Sequence, residues 1–450
     1  MRADLLIVGG GFAGSAMAMV AARLGLDVVL IDRGRHPRFA VGESTTPAGN
    51  MALAAMGRRY GIPLFTAMSR YGTWKEQLPE VDVGRKRGFA YWFHGSAHPE
   101  LRVAASADDF HCDTHWLRSE VDARLFEEAR AMGVEAWQET EIVGLHRAKR
   151  WKARLSCGRL VQARVLVDAT GSAEFAARFL DAGRGPDMRI RTYAAFSHMR
   201  GLPPWGEFMD LDDDPFPAHE SAQHHVTTGG WMWQLGFDSG VTSVGIVGPS
   251  PPDLSHFLSG APSLAQQVEA ASETRPWAST PRLQRRVVCA GGPDWLLLPA
   301  SAGFVDPLHS TGIAHGLSAV ERAAAVLAGG DSDFTALGAH ILGELDHLDH
   351  LTAACYATLG RPADFVAATM LYFAASIRYE QDRIARGNST PGFLGADDSA
   401  LRSVVKQAPD RATTAGFADW VREAIAPWNA IGLMDPKFAH RYAHTAPRGW

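Results

Sequence analysis

This 450-residue sequence lacks a basic charge excess, clustered cysteine and long apolar runs. Its 44 lysines and arginines are outnumbered by 49 acids, giving a formal charge of −5. That balance argues against the basic face nucleic-acid binding demands, so no nucleic-acid partner is expected. The four cysteines, Cys112, Cys157, Cys289 and Cys355, stand far apart without a CxxC pair or Cys/His cluster. Neither a disulfide framework nor a zinc site follows, and no metal is expected. The apolar stretch from Phe365 to Ile377 is interrupted by Thr369, Tyr372 and Ser376 and falls short of the ~20 residues that span a bilayer. The chain opens directly on a strand pattern instead of a secretory leader. A cytoplasmic protein without a membrane span is the expectation. Hydrophobic residues at 46% and charged residues at 21% mark a globular chain rather than a disordered one.

What is present begins at Leu5-Leu6-Ile7-Val8, a β-type run leading into Gly9-Gly10-Gly11-Phe12-Ala13-Gly14 and a helix-forming stretch from Ser15 to Leu24. A second apolar run, Val28 to Ile31, ends in Asp32. This is strand, glycine turn, helix, strand and acid in one βαβ length. Gly9 permits the tight turn, Gly11 admits a pyrophosphate, and Gly14 lets helix and strand pack closely. The helix N-terminus offers free N–H groups to phosphates, and Asp32 stands where an acid accepts from a ribose hydroxyl. A dinucleotide is expected here, with Phe12, Ala13 and Arg33 as further contacts. Beyond it, Trp116 to Met132 carries a helical period, strands follow to Val167, and Gly201 to Pro217 reads as a surface excursion. Trp231, Trp233, Leu235 and Phe237 alternate along a strand. From about Ser332 the chain is mainly helical.

Three further segments follow in chain order: Gly42-Glu43-Ser44-Thr45-Thr46-Pro47, Asp168-Ala169-Thr170-Gly171 at a strand end, and Phe304-Val305-Asp306-Pro307-Leu308 before Ser310-Thr311-Gly312-Ile313. With the glycine turn, they resemble the flavin-dependent halogenases and their relatives among FAD monooxygenases and geranylgeranyl reductases. The resemblance runs from residue 3 to about 325. It implies an α/β chain: a discontinuous Rossmann-like FAD-binding domain (1–180 and 285–330), an inserted β-rich substrate-facing domain (181–284) and a helical C-terminal region (331–450). It also implies FAD held by Gly9, Gly11, Gly14, Asp32, Gly42, Glu43, Ser44, Arg118, Asp168, Gly171, Asp306, Gly312 and Ile313.

Three departures bear on the reaction. The halogenase signature Trp-x-Trp-x-Ile-Pro is here Trp231-Met232-Trp233-Gln234-Leu235-Gly236, so both tryptophans, candidate substrate contacts, remain while Ile-Pro is replaced. Tryptophan halogenases carry a glutamate before Ser-Thr-Gly, where this chain has His309. A halogenase also needs a relay lysine, and Lys86 lies in the right region but within Arg85-Lys86-Arg87, a pattern usual in solvated or anion-facing turns. These departures favour a monooxygenase that hydroxylates an electron-rich aromatic, an indole or a free or peptide-bound tryptophan, through a flavin C4a-hydroperoxide. His309 would then act as base or hydrogen-bond donor. O₂ is the oxidant, and NAD(P)H or a partner flavin reductase supplies electrons. The alternatives are a flavin-dependent halogenase using Lys86, a geranylgeranyl-reductase-like enzyme and a non-catalytic flavoprotein.

Overall fold

The run Arg2–Val8 becomes the centre of a parallel sheet because both of its faces are covered: Leu5, Leu6 and Ile7 are fully buried, as strands flanked by helices on two sides must be. In the computed structural model, which describes residues 1–96, 100–209, 211–387, 391–443 and 445–446, the sheet runs Gly291–Gly292, Trp295–Leu297, Leu160–Asp168, Arg2–Val8, Val28–Ile31 and Glu135–Trp137. Its four inner pairings are parallel, with Val8 opposite Asp168 and Ile31. The strands Ile142–Arg147 and Trp151–Leu155 extend it antiparallel beside Leu160–Asp168. The helices Phe12–Arg23, Arg118–Ala131 and Thr311–Ala328 pack together on it.

A second, nine-stranded sheet carries the opposite wall of the site. Tyr193–Arg200, Val241–Gly248, Gly230–Gly236 and Ser221–Thr227 form an antiparallel run. Gly88–Phe93 joins it parallel to Ser221–Thr227, followed by Glu100–Ala104 and, at the edge, Arg441–Tyr442. The sheet is therefore wider than the 181–284 segment: it recruits strands from the first hundred residues and from the C-terminal region. The physical reason is edge pairing, since Ser221–Thr227 leaves a row of backbone groups that Gly88–Phe93 satisfies. The excursion Gly201–Pro217 is anchored rather than loose, with Trp205 and Phe216 buried in a satellite core.

The C-terminal region is helical as read, with Thr335–Tyr356 and Pro362–Arg386 as its long members. The latter lays an apolar face on the second sheet: Phe365 packs edge-on against Phe93 and Phe373 against Phe89, both at 5.6 Å between ring centroids. Among the described residues no helix is long and apolar enough to cross a membrane.

Candidate active site

The glycine turn is built for backbone approach. Gly9 adopts φ +108°, and a Cβ there would lie 2.4 Å from the Ala169 carbonyl oxygen; at Gly14 it would lie 1.9 Å from the Gly9 oxygen. Strand and helix close on each other only because neither position carries a side chain. Gly11 faces charge instead: a Cβ there would stand 3.5 Å from Asp122 and 3.7 Å from the guanidiniums of both Arg118 and Arg38. Asp32 closes the far side, accepting from Gly10 N (2.7 Å), Gly34 N (2.7 Å) and Arg38 Nη2 (2.9 Å).

Arg118 is a buried brace. It pairs with Asp122 through two hydrogen bonds of 2.8 Å, donates to the Gly42 carbonyl at 3.0 Å, and lies 4.7 Å over the Phe12 ring. It thereby ties the Gly42–Pro47 loop to the glycine turn. Glu43 is held from the second sheet by His198, whose Nε2 lies 3.0 Å from its carboxylate. The Ser44 hydroxyl is buried without a hydrogen-bond partner, a group a bound molecule would satisfy. Ala13 lies on the helix that follows, near Gly316 of the helix Thr311–Ala328. These residues fit a dinucleotide cofactor. The Arg33 side chain is 70% exposed and reaches Glu174 at 3.5 Å, while Arg38, six residues after Asp32, donates to its carboxylate and lines the cradle. Three arginines at 33, 35 and 38 gave no means of choosing among them.

On the other side of the cradle the two acids brace turns. Asp168 accepts from Thr170 N and Ser301 Oγ, both at 2.9 Å, and burial pushes its carboxyl up to about 6; the same Ser301 hydroxyl takes Gly171 N at 3.0 Å. Asp306 accepts from Leu308 N (3.1 Å), Thr192 Oγ1 (2.9 Å) and Tyr356 OH (3.0 Å), and burial raises it to about 7. The helix Thr311–Ala328 then starts from Ser310 in the left-handed region (φ 53°). The Cβ direction of Gly312 meets nothing within 4 Å, while Ile313 is buried.

Lys86 corrects the reading of the basic triplet as a solvated turn. It ends the strand Val83–Lys86, paired antiparallel with Asp113–Trp116, and strand alternation turns its neighbours the other way. Arg85 and Arg87 reach Asp109 at 2.7 and 2.8 Å, and Arg85 also reaches Glu220 at 2.7 Å. Lys86 is fully buried, donates to the Thr45 carbonyl at 2.5 Å and lies 3.9 Å from the Phe89 ring centroid. The amine is thus fastened to the Gly42–Pro47 loop and faces an aromatic chamber.

That chamber is a packed cluster of buried rings drawn from five segments. Tyr91 stacks on His224 at 4.5 Å, His224 approaches Trp231 at 5.1 Å, and Phe89 meets Tyr372 edge-on at 6.4 Å. His309 lies flat on Tyr372 at 4.1 Å, with its Nδ1 3.4 Å from Tyr91 OH and its Nε2 3.6 Å from Cys355 Sγ. Burial pulls both His309 and His224 down to about 3, so each is a neutral imidazole and a weak base at neutral pH. Trp231 donates to Tyr356 OH at 2.8 Å, linking the chamber to Asp306. Trp233 is different. Its Nε1 donates to Ser243 Oγ at 3.0 Å and its ring fills the space over Gly245, where a Cβ would lie 2.2 Å away. Of the two tryptophans, Trp231 meets His224, while Trp233 packs against Trp231 at 6.0 Å and Phe196 at 6.2 Å. Among the described residues no group of three or more His, Cys, Asp or Glu is placed to hold a metal.

The family model described as FAD dependent oxidoreductase matches residues 4–126, the part of the chain that holds the glycine turn, Asp32 and Arg118. Beyond that segment, the resemblance is to halogenases. The monodechloroaminopyrrolnitrin halogenase PrnC of Pseudomonas fluorescens is 28% identical over 391 residues, covering 78% of this chain and 67% of the relative. The tetracycline 7-halogenase of Kitasatospora aureofaciens is 29% identical over 344 residues, covering 69% of this chain and 61% of the relative. The aligned part thus spans roughly two thirds of these relatives' own length. A crystal structure of halogenase PltM in complex with phloroglucinol and FAD superposes with a TM-score of 0.86 at 21% identity, covering 99% of this chain and 100% of that one. The chain is thus similar in sequence to flavin-dependent halogenases and shares its fold with one of them.

Proposed function

We propose that this chain is a flavin-dependent halogenase of a small electron-rich aromatic, with Lys86 as the residue that holds the electrophilic halogen species. The observation that carries the reading is the place of Lys86: fully buried, fastened to the Gly42–Pro47 loop through Thr45 and pressed against Phe89 at the edge of the chamber. An ammonium there donates hydrogen bonds in a site that excludes water, where they are strongest. FAD, when bound, supplies the oxidising chemistry with O₂ and halide. The chain's own residues do the rest. Phe89, Tyr91, His224, Trp231 and Tyr372 present aromatic walls, and His309, being neutral, serves as a hydrogen-bonding surface rather than a general base. The halogenase relatives support this alternative over hydroxylation, and the buried lysine removes the main sequence argument against it.

The test is product mass with chemically reduced FAD, O₂ and a panel of phenols, pyrroles, indoles and tryptophan-containing peptides, run with and without bromide. Supplying reduced flavin makes the result independent of whether NAD(P)H or a partner reductase is the natural electron source. A brominated product is expected only with bromide, falling by about 100-fold or more in Lys86→Met with FAD still bound. A gain of oxygen whether or not bromide is present would return the chain to the hydroxylase reading.

A further inference from the structure

Two buried carboxylates stand around Lys86 and have no part in anything described so far. Asp113 lies opposite Lys86 in the antiparallel register and is 2% exposed. One of its oxygens accepts from Asn50 Nδ2 at 2.7 Å, and the other is buried without a hydrogen-bond partner. Glu380 comes from the helix Pro362–Arg386, nearly three hundred residues away in sequence, and is also 2% exposed. It accepts from Ser376 Oγ at 3.0 Å. Both acids act on Lys86 electrostatically, and Lys86 on both of them.

The other titratable groups around the amine do not compete for it. His115 and His224 are kept neutral by burial and by the positive charge of Lys86 itself, and the Tyr372 phenol, raised by burial, stays protonated. Arg383, on the same helix as Glu380, pairs with Glu321 at 2.9 Å and also acts on Glu380, more strongly than Lys86 does, so Asp113 is the principal partner of the amine. One base and two acids sealed in one apolar region cannot all be charged without leaving net charge unbalanced. The balanced state has an ammonium, one carboxylate and one protonated carboxyl. Burial pushes Asp113 up to about 7 and Glu380 up to about 8, and it pulls Lys86 down to about 8 against the pull of the two acids.

We propose that Asp113 and Glu380 are positioning residues for Lys86, whose negative charge keeps the amine protonated in otherwise apolar surroundings and so sets the pH at which it becomes uncharged. The proposal rests on the reading of Lys86 as the reactive lysine, and the test separates the two. The chain has only six lysines, Lys75, Lys86, Lys149, Lys152, Lys406 and Lys437. The ionisation of Lys86 is therefore readable by NMR of ε-¹³C-lysine in the FAD-loaded protein, with the signal assigned by its loss in Lys86→Met. Asp113→Asn is expected to lower the Lys86 midpoint by about one pH unit or more, a tenfold change in proton affinity. Glu380→Gln should lower it in the same direction by less, and Asp113→Glu should restore most of the shift. The lysine-dependent limb of the bromination pH profile should move with the midpoint. A Lys86 midpoint unchanged in both Asp113→Asn and Glu380→Gln, each retaining FAD, would overturn the inference. A wild-type protein that yields no bromide-dependent product overturns the reading of Lys86 instead, whatever the NMR midpoints show.

Discussion

The dinucleotide cradle and the aromatic chamber sit side by side but are specified in opposite ways. The cradle is made largely by residues close in sequence: a turn from Gly9 to Gly14, an acid at the end of the next strand and a loop at Gly42–Pro47. Its tolerances are set by backbone against backbone, as the 1.9 Å clash awaiting a Cβ at Gly14 shows. The chamber gathers Lys86–Tyr91, His224–Trp231, His309, Cys355–Tyr356 and Phe365–Glu380 from across the chain. It is held by ring stacking and a few buried hydrogen bonds. Backbone constraints leave a signature in residue type, because only glycine fits. Packing constraints leave almost none, since many aromatic residues fill a wall.

The contrast can be broken at several points. The largest stability effect belongs to the cradle. Gly14→Ala places a methyl against the Gly9 carbonyl, and a loss at or above the ~3 kcal/mol upper range of overpacking is expected, with FAD no longer retained through gel filtration. Gly343→Ala, on the exposed side of the helix Thr335–Tyr356 where its Cβ meets open space, is the control and should keep both stability and flavin. A Gly14→Ala protein as stable as the parent would mean the turn can open, and the cradle would lose its backbone character.

The chamber should respond to pH. His115, His224 and His309 are all pulled to about 3 by burial, below an unfolded value near 6.5. Each therefore contributes stability that is fully present above about pH 6.5 and is lost as pH falls toward 3. Asp113, Asp168, Asp306 and Glu380 are raised and slope the other way: their contribution is full below the unfolded carboxylate value of about 4 and is lost as pH rises from there to about 6 to 8. A difference against the parent isolates one group. His224→Phe should gain on the parent by up to about 1.4 kcal/mol for each pH unit below 6.5, measured by urea unfolding at pH 7, 5.5 and 4.5. A constant difference across those values would show that His224 accepts protons in the folded state.

Tyr372→Phe should cost about 1 kcal/mol or somewhat more in the same assay, because its hydroxyl donates to the His309 carbonyl at 3.0 Å and a buried carbonyl would be left unpaired. The smallest effect falls on Arg33→Ala, within about 0.5 kcal/mol, since its ion pair with Glu174 is exposed. Arg38→Ala, by contrast, should weaken FAD binding measurably by flavin fluorescence titration. Equal flavin losses in the two variants would erase the distinction drawn between these arginines.

The aromatic strand shows the limit of pattern reading within a single element. Trp231 and Trp233 alternate onto one face, as the sequence indicates, yet one meets His224 and Tyr356 while the other covers Gly245. Two residues along a strand are enough to change what a ring meets. His198, His224 and Tyr372 carried no sequence signal at all, because a buried imidazole or phenol is defined by its neighbours. Lys86 carried a misleading one: three consecutive basic residues look solvated until strand pairing fixes which of them faces inward.

By itself, then, the sequence determined the βαβ cradle, its glycines, Asp32, the turn at Asp168 and the helical character of the C-terminal region, since each follows from local sterics or a short repeat period. Tertiary structure alone decided that the second sheet reaches back to Gly88–Phe93, that Lys86 points inward, and that Asp113 and Glu380 stand around it. Those outcomes depend on which distant segments share one apolar interior, where the absence of water sets both the partner and the charge of every buried group.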